Sequence, residues 1–168
     1  MKYSHILLSV LMIAVCTACS NKKQSIIRQN NIIVHDLSEF YRINDRLFLL
    51  FDADTLSDLQ FMQYDSLTSF IKSAMAKYDT IQPATDDNSL IISMQQFLLE
   101  YQKLVFHQYN TVLHILTKPR YLFEANDLHI LDSMFSVINH KQDSIDKVFA
   151  QQQAQYLQKH EINASEKE

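Results

Sequence analysis

The sequence predicts an all-α protein, an antiparallel up-down-up-down four-helix bundle behind a cleaved signal peptide. Three observations carry this. The 168 residues include no glycine and only two prolines, Pro83 and Pro119, so the chain has few places to turn sharply and favours long helices with few loops. Apolar residues recur at steps of three and four along four long segments, the period of a helix with one buried face. No pair of alternating runs offers strands that could pair with each other.

Composition also excludes several function classes. Average usage would give about a dozen glycines in a chain of this length. Without any, the phosphate-binding loops, dinucleotide-binding turns and nucleophile elbows that need positive φ or close backbone approach cannot be built in their usual form. The formal charge is -4; removing the leader with Lys2 leaves -5 on 150 residues. No basic patch is present to neutralise phosphates, so nucleic acid is not an expected partner. A chain of 150 residues is one ordinary domain that buries about 70% of its unfolded surface.

The first element is the leader, residues 1–18. Lys2 supplies a positive start, and the ten residues Ile6 to Val15 form an apolar run of h-region length, too short to span a bilayer. The Cys16-Thr-Ala-Cys19 stretch that follows resembles the lipobox of bacterial lipoproteins, with small residues before the acceptor and Cys16 where Leu, Val or Ile is usual. The resemblance implies cleavage before Cys19 and acyl chains on its thiol and amine, so that the membrane becomes a partner. Ser20, rather than Asp, implies the outer membrane. Cleavage would also part the Cys16-x-x-Cys19 pair and leave no free thiol for a disulfide, a nucleophile or a metal.

Residues 19–31 read as a lipidated polar tether, and 32–162 as the bundle. In the first helix Ile33, Leu37, Phe40, Tyr41, Leu47, Phe48 and Phe51 share a face. Asp52-Ala-Asp-Thr55 provides helix-start chemistry for the second, from about Leu56 to Tyr78, with Leu59, Met62, Leu67, Phe70, Ile71, Ala74 and Tyr78 inward. Asp79 to Asn88, with Pro83, is the clearest loop. The third helix, 88–118, is the most regular: Ile91, Met94, Leu98, Tyr101, Val105, Gln108, Val112 and Ile115 step without a break to the stop at Lys118-Pro119. The fourth starts near Asn126 and places Leu128, Leu131, Phe135, Ile138, Gln142, Ile145, Phe149, Gln152 and Tyr156 inward. Residues 163–168 form a charged tail expected to be disordered.

No residue set amounts to a reaction site, and no catalytic residues, metal ligands or cofactor are expected. Glu100, His107 and His114 recur every seven residues, but two turns separate neighbours by roughly 10 Å, too far to share one metal ion. Ferritin-like bundles need Glu-x-x-His pairs, and none occurs. His35, His129, His140 and His160 read as surface groups. Asp143 and Asp146 lie one turn apart, and an exposed helical face accounts for them better than an acid/base pair. The glutamines at 151–153, 155 and 158 read as a solvated face.

Asp-Ser/Thr-apolar triplets occur five times and resemble the acceptor motif for O-glycosylation of exported Bacteroidetes proteins. They mark Thr55, Ser66, Thr80, Ser133 and Ser144 as candidate acceptors. The competing account is that Asp-Ser/Thr pairs belong at helix starts and amphipathic helices supply the apolar third residue.

Finally, Tyr78, Pro83, Asp87 and Leu90 leading into Phe97, Tyr101 and Val105, then Asp146-Lys-Val-Phe149 with Gln153, Tyr156, Lys159 and His160, resemble an uncharacterised family of helical surface lipoproteins of spirochaetes and Bacteroidetes. The resemblance covers about residues 30 to 162 and implies a fold and an address but no activity. The expectation is a lipid-anchored, non-enzymatic bacterial envelope protein, on the periplasmic or outer face, that contacts an envelope protein partner. The alternative is a helical bundle binding a small ligand or metal.

Overall fold

The computed structural model describes the backbone of residues 3–52 and 57–162, and the side chains of 21–51, 58–119 and 121–162. It is the expected four-helix bundle, with no strand among the described residues. Helix α1 spans Tyr3–Asp52, α2 Ser57–Thr80 and α3 Ser89–Leu104. A π-helical turn, Val105–Tyr109, leads from α3 directly into α4, Asn110–Leu116. Right-handed helical dihedrals at Leu104, Val105, Tyr109 and Asn110 make these three pieces one continuous helix. After a 3₁₀ turn at Arg120–Leu122, α5 runs Ala125–Lys159.

The core follows the apolar stripes. Ile33, Phe40 and Leu47 of α1, Leu67 and Ile71 of α2, Met94, Leu98 and Tyr101 of α3, and Ile138 and Phe149 of α5 are all buried. Aromatic rings join the helices at mid-height: Phe40 meets Tyr101 at 4.5 Å and Phe97 at 5.3 Å between centroids, and Phe97 meets Phe149 at 5.4 Å. Such edge-on pairs add about 0.5–1.5 kcal/mol each beyond the area they bury.

Several expectations are corrected. The tether over residues 19–31 is helical, and Ile26 and Gln29 within it are buried. The Gln29 amide donates to the Gln82 carbonyl at 3.3 Å and accepts from the Ala84 N–H at 3.3 Å, so it pins the α2–α3 loop around Pro83. Leu59, Met62 and Leu128, which periodicity turns inward, are exposed. Gln108 is only half-buried, because the wide π turn rotates Tyr109 into the core in its place. His160 is not a free surface group: its ring lies against Tyr156, with centroids 4.6 Å apart, and its Nε2 is 3.2 Å from Asp87.

Caps replace the missing glycines. The Glu124 N–H donates to Asp127 Oδ2 at 3.0 Å in a capping box at the start of α5, and Lys118 meets Asp127 Oδ1 at 2.6 Å. At the other end Glu161 takes φ 56, with Ile162 N–H donating to the Leu157 carbonyl and Glu161 N–H to that of Gln158. This is a Schellman cap with glutamate where glycine is usual.

Candidate functional site: a polar seam between the first and last helices

Around the bundle α1 packs on α2, α2 on α3, and α3 on α5, whereas the backbones of α1 and α5 stay apart. Long side chains close that side, and many carry polar groups. Gln153 Nε2 donates to Asn30 Oδ1 at 2.8 Å. Midway, Tyr101 donates its hydroxyl to Asp146 Oδ1 at 2.8 Å, and the Tyr41 hydroxyl faces the same carboxyl. One turn further, Tyr109 donates to Asn44 Oδ1 at 2.8 Å and accepts from Gln142 Nε2 at 2.7 Å. Phe48 and Phe51 then meet Phe135 at 6.4 and 6.2 Å.

Local structure explains this arrangement. Tyr41 and Asn44 lie one turn apart on the inner face of α1, and Gln142 and Asp146 one turn apart on α5. The third component needs the π turn. Tyr101 and Tyr109 are eight residues apart, and the extra residue in Val105–Tyr109 sets the second phenol to face Asn44.

Electrostatically, Asp146 stands out. Burial raises its pKa above the ordinary carboxylate value, the hydrogen bonds from Tyr101 and Tyr41 pull the other way, and the Asp143 charge adds to the rise. Burial first, then the Asp146 charge, raises the pKa of Tyr101, Tyr41 and Tyr109, so all three stay neutral donors. The seam is a satisfied network holding one half-buried carboxyl, suited to fixing helix register. It places no nucleophile beside a base.

Asp143 is exposed and does not join Asp146. Glu100, His107 and His114 are exposed along one helix, and no group of three His, Cys, Asp or Glu among the described residues could hold a metal ion. Ser66, Thr80, Ser133 and Ser144 are exposed. Thr55 lies outside the described residues, and so does the side chain of Cys19. Sequence reasoning missed the seam, although tyrosines at core-facing positions 41 and 101 carried a signal, since a buried hydroxyl needs a partner.

A second feature sits beside the π turn. A groove of about 430 Å³ runs between α2 and α3, lined by Thr68, Ile71, Lys72, Gln102, Val105 and Phe106. Tyr64 donates to the Val105 carbonyl at 3.4 Å nearby. Comparison with known proteins finds no family model, no curated protein and no solved structure that matches this chain.

Proposed function

We propose that the chain is a lipid-anchored bacterial envelope protein, held through acyl chains on Cys19, whose bundle acts by binding another envelope protein rather than by catalysis. The observation that carries this is the short distance from the anchor to the core. Ile26 is buried only seven residues after Cys19, about 10 Å along a helix. Acyl chains at Cys19 would therefore hold one end of the bundle against the bilayer. Lys22, Lys23 and Arg28 at that end suit an anionic headgroup layer. The leader, the lipobox-like residues and the resemblance to helical surface lipoproteins support the same address.

Support for a non-enzymatic role comes from the seam, where tyrosines enclose the one described carboxyl whose pKa burial raises. A ligand-binding bundle is the second reading, favoured by the groove beside Val105 and Phe106, whose rim residue Lys72 makes no ion pair among the described residues. Its size is at the lower end for small-molecule sites.

Mass spectrometry of the mature N-terminus tests the anchor: an acylated Cys19 is expected, and an unmodified terminus elsewhere overturns it. Thermal shifts of the purified bundle against single-chain amphiphiles and divalent metals separate the readings. A reproducible shift of several degrees that Lys72→Glu abolishes would favour the ligand reading.

A further inference from the structure

Although the whole chain is acidic, the fold gathers a basic stripe along the outer face of α1. Residues 21–51 carry five basic and three acidic side chains, a balance of +2, whereas residues 58–119 and 121–162 carry seven and twelve, a balance of -5. The placement within α1 is regular. Ile26, Ile33, Phe40 and Asn44 are buried, and Arg28, His35, Arg42 and Arg46 each follow one of them by two residues. Two residues turn an α-helix by about 200°, so the three arginines and the histidine share the face opposite the core. All four are exposed. From Arg28 to Arg46 the stripe is about 27 Å long.

The acidic residues of α1 leave this face largely uncompensated. Asp36 turns toward α2, where it meets Lys77 Nζ at 2.6 Å and accepts from the Tyr78 hydroxyl at 2.7 Å, with His35 Nδ1 3.7 Å away. Asp45 stands about 100° round the helix from Arg46. Glu39 meets Arg42 at 2.8 Å, whereas Arg28 and Arg46 form no hydrogen bond or ion pair among the described residues. Beside the stripe a hollow of about 490 Å³ opens between α1 and α2, bounded by Arg28, His35 and Lys77.

The chemistry of the face indicates what could cover it. Spaced guanidinium groups with Gln24 and Asn31 between them suit an array of phosphates better than an apolar partner. Position points the same way, because the stripe lies on the helix that follows the anchor. Arg28 is nine residues after Cys19, about 13 Å along a helix. Resting on the lipid-anchor reading above, we propose that the outer face of α1 lies along an anionic bilayer. The bundle then reclines on the membrane, with Arg28, Arg42 and Arg46 on phosphate headgroups and α3, the helix diagonally across from α1, turned to the aqueous side.

The experiment uses the full mature lipoprotein in phosphatidylcholine vesicles, one set with about 30% phosphatidylglycerol and one with none. A donor fluorophore is attached through Asn31→Cys, Leu49→Cys or Gln96→Cys, and the acceptor is carried on lipid headgroups. On anionic vesicles, energy transfer from positions 31 and 49 should match, although 49 lies about 27 Å farther from the anchor along α1. Both should exceed transfer from position 96 of α3 at least about twofold, since neighbouring helix axes in a bundle are about 8–10 Å apart. Combining Arg28→Glu, Arg42→Glu and Arg46→Glu, or raising salt to about 1 M, should lower transfer from position 49 to its level on neutral vesicles. The same reversal at the exposed Lys103, Lys141 and Lys147 should leave it unchanged.

Transfer from position 49 that stays below that from 31 on both vesicle types shows an upright bundle and overturns the proposal. Transfer indifferent to lipid charge or to the arginine reversals overturns it too. Flotation keeps the two readings apart: a chain that floats with neutral vesicles yet stays upright on anionic ones refutes the reclining face alone, whereas a chain that floats with neither removes the anchor and the proposal together. A photo-crosslinker at position 31 that captures one discrete protein in the envelope instead of lipid would assign the face to an acidic protein partner and likewise overturn the proposal. Circular dichroism confirms that these exposed substitutions leave the helices formed.

Discussion

Tyr109 donates its hydroxyl to Asn44 across 2.8 Å of fully buried interior, and it does so from a turn that is one residue too wide for an α-helix. The two residues are 65 apart in the chain, so their contact sets α1 against the α3–α4 helix. Tyr109→Phe would keep the ring packing against Phe48 at 5.4 Å but strand the Asn44 oxygen and remove the acceptor for Gln142. The expected cost is about 1–3 kcal/mol in urea unfolding. Because the two residues share a bond, Asn44→Leu combined with Tyr109→Phe should cost less than the sum of the single changes. Additivity in that double-mutant cycle would mean the bond contributes nothing.

Asp146 predicts an unusual pH response. Its pKa is raised in the fold by burial, so the carboxyl stabilises the folded state most when protonated, and that contribution is lost as pH rises through the folded pKa. Asp146→Asn keeps an acceptor for Tyr101 and Tyr41 without the charge. Relative to the parent, the variant should therefore be more favourable at pH 7 than at pH 4. Thermal unfolding at the two values is the check, and a variant penalty that is larger at pH 7 has the wrong sign.

At the opposite end of the bundle the sign reverses. Hydrogen bonds from Lys159 and Ser89, then His160, hold Asp87 well below the ordinary carboxylate range. Its contribution is present above the unfolded pKa and is lost as pH falls through the folded one. Asp87→Asn should flatten the acid limb of the stability curve. At neutral pH it should cost about 1 kcal/mol, because the Lys159 side chain of the pair is largely exposed and the asparagine would keep an acceptor oxygen.

Glu161 is the one residue with positive φ among those described. Glu161→Gly should stabilise by about 1 kcal/mol, since glycine takes this conformation without the Cβ penalty. The Lys23 contact to the Glu161 carbonyl at 3.2 Å survives the change. A fall in the unfolding midpoint would show that the cap is not strained.

If the Asp-Ser/Thr-apolar triplets are glycosylated, they should not be modified equally. The hydroxyl of Ser66 donates to the Met62 carbonyl at 2.8 Å, and that of Thr80 to the Lys77 carbonyl at 3.1 Å. Ser133 and Ser144 are exposed and form no side-chain hydrogen bond among the described residues. Glycan should therefore appear first on Ser133 and Ser144 in peptide mass spectra. A gel shift unaffected by replacing all five hydroxyl residues with Ala would end the idea.

Helix periodicity made the fold legible but could not resolve its finer features. After Val105, the steps through Gln108 to Val112 and through Tyr109 to Val112 are both sums of three and four, so a widened turn leaves no mark on the spacing. Leu59, Met62 and Leu128 lie on helical stripes, but a stripe identifies a face without saying whether anything covers it. Residues 20 to 31 look polar enough for a tether, yet Ile26 and Gln29 suffice to bury one face. The pairing of Asp146 with Tyr101 is equally hidden, since it joins positions 45 apart and depends on how far α5 stands from α1.

That separation gives the molecule a preferred line of opening. Three sides of the bundle are backbone packed against backbone, whereas the fourth is latched by tyrosine, asparagine and glutamine side chains. Reversible parting should begin there, with α1 and α5 swinging away from each other while the α2–α3 contact serves as the spine. Solvent would then reach Asn44 and Asp146 before it reaches Leu67 or Met94.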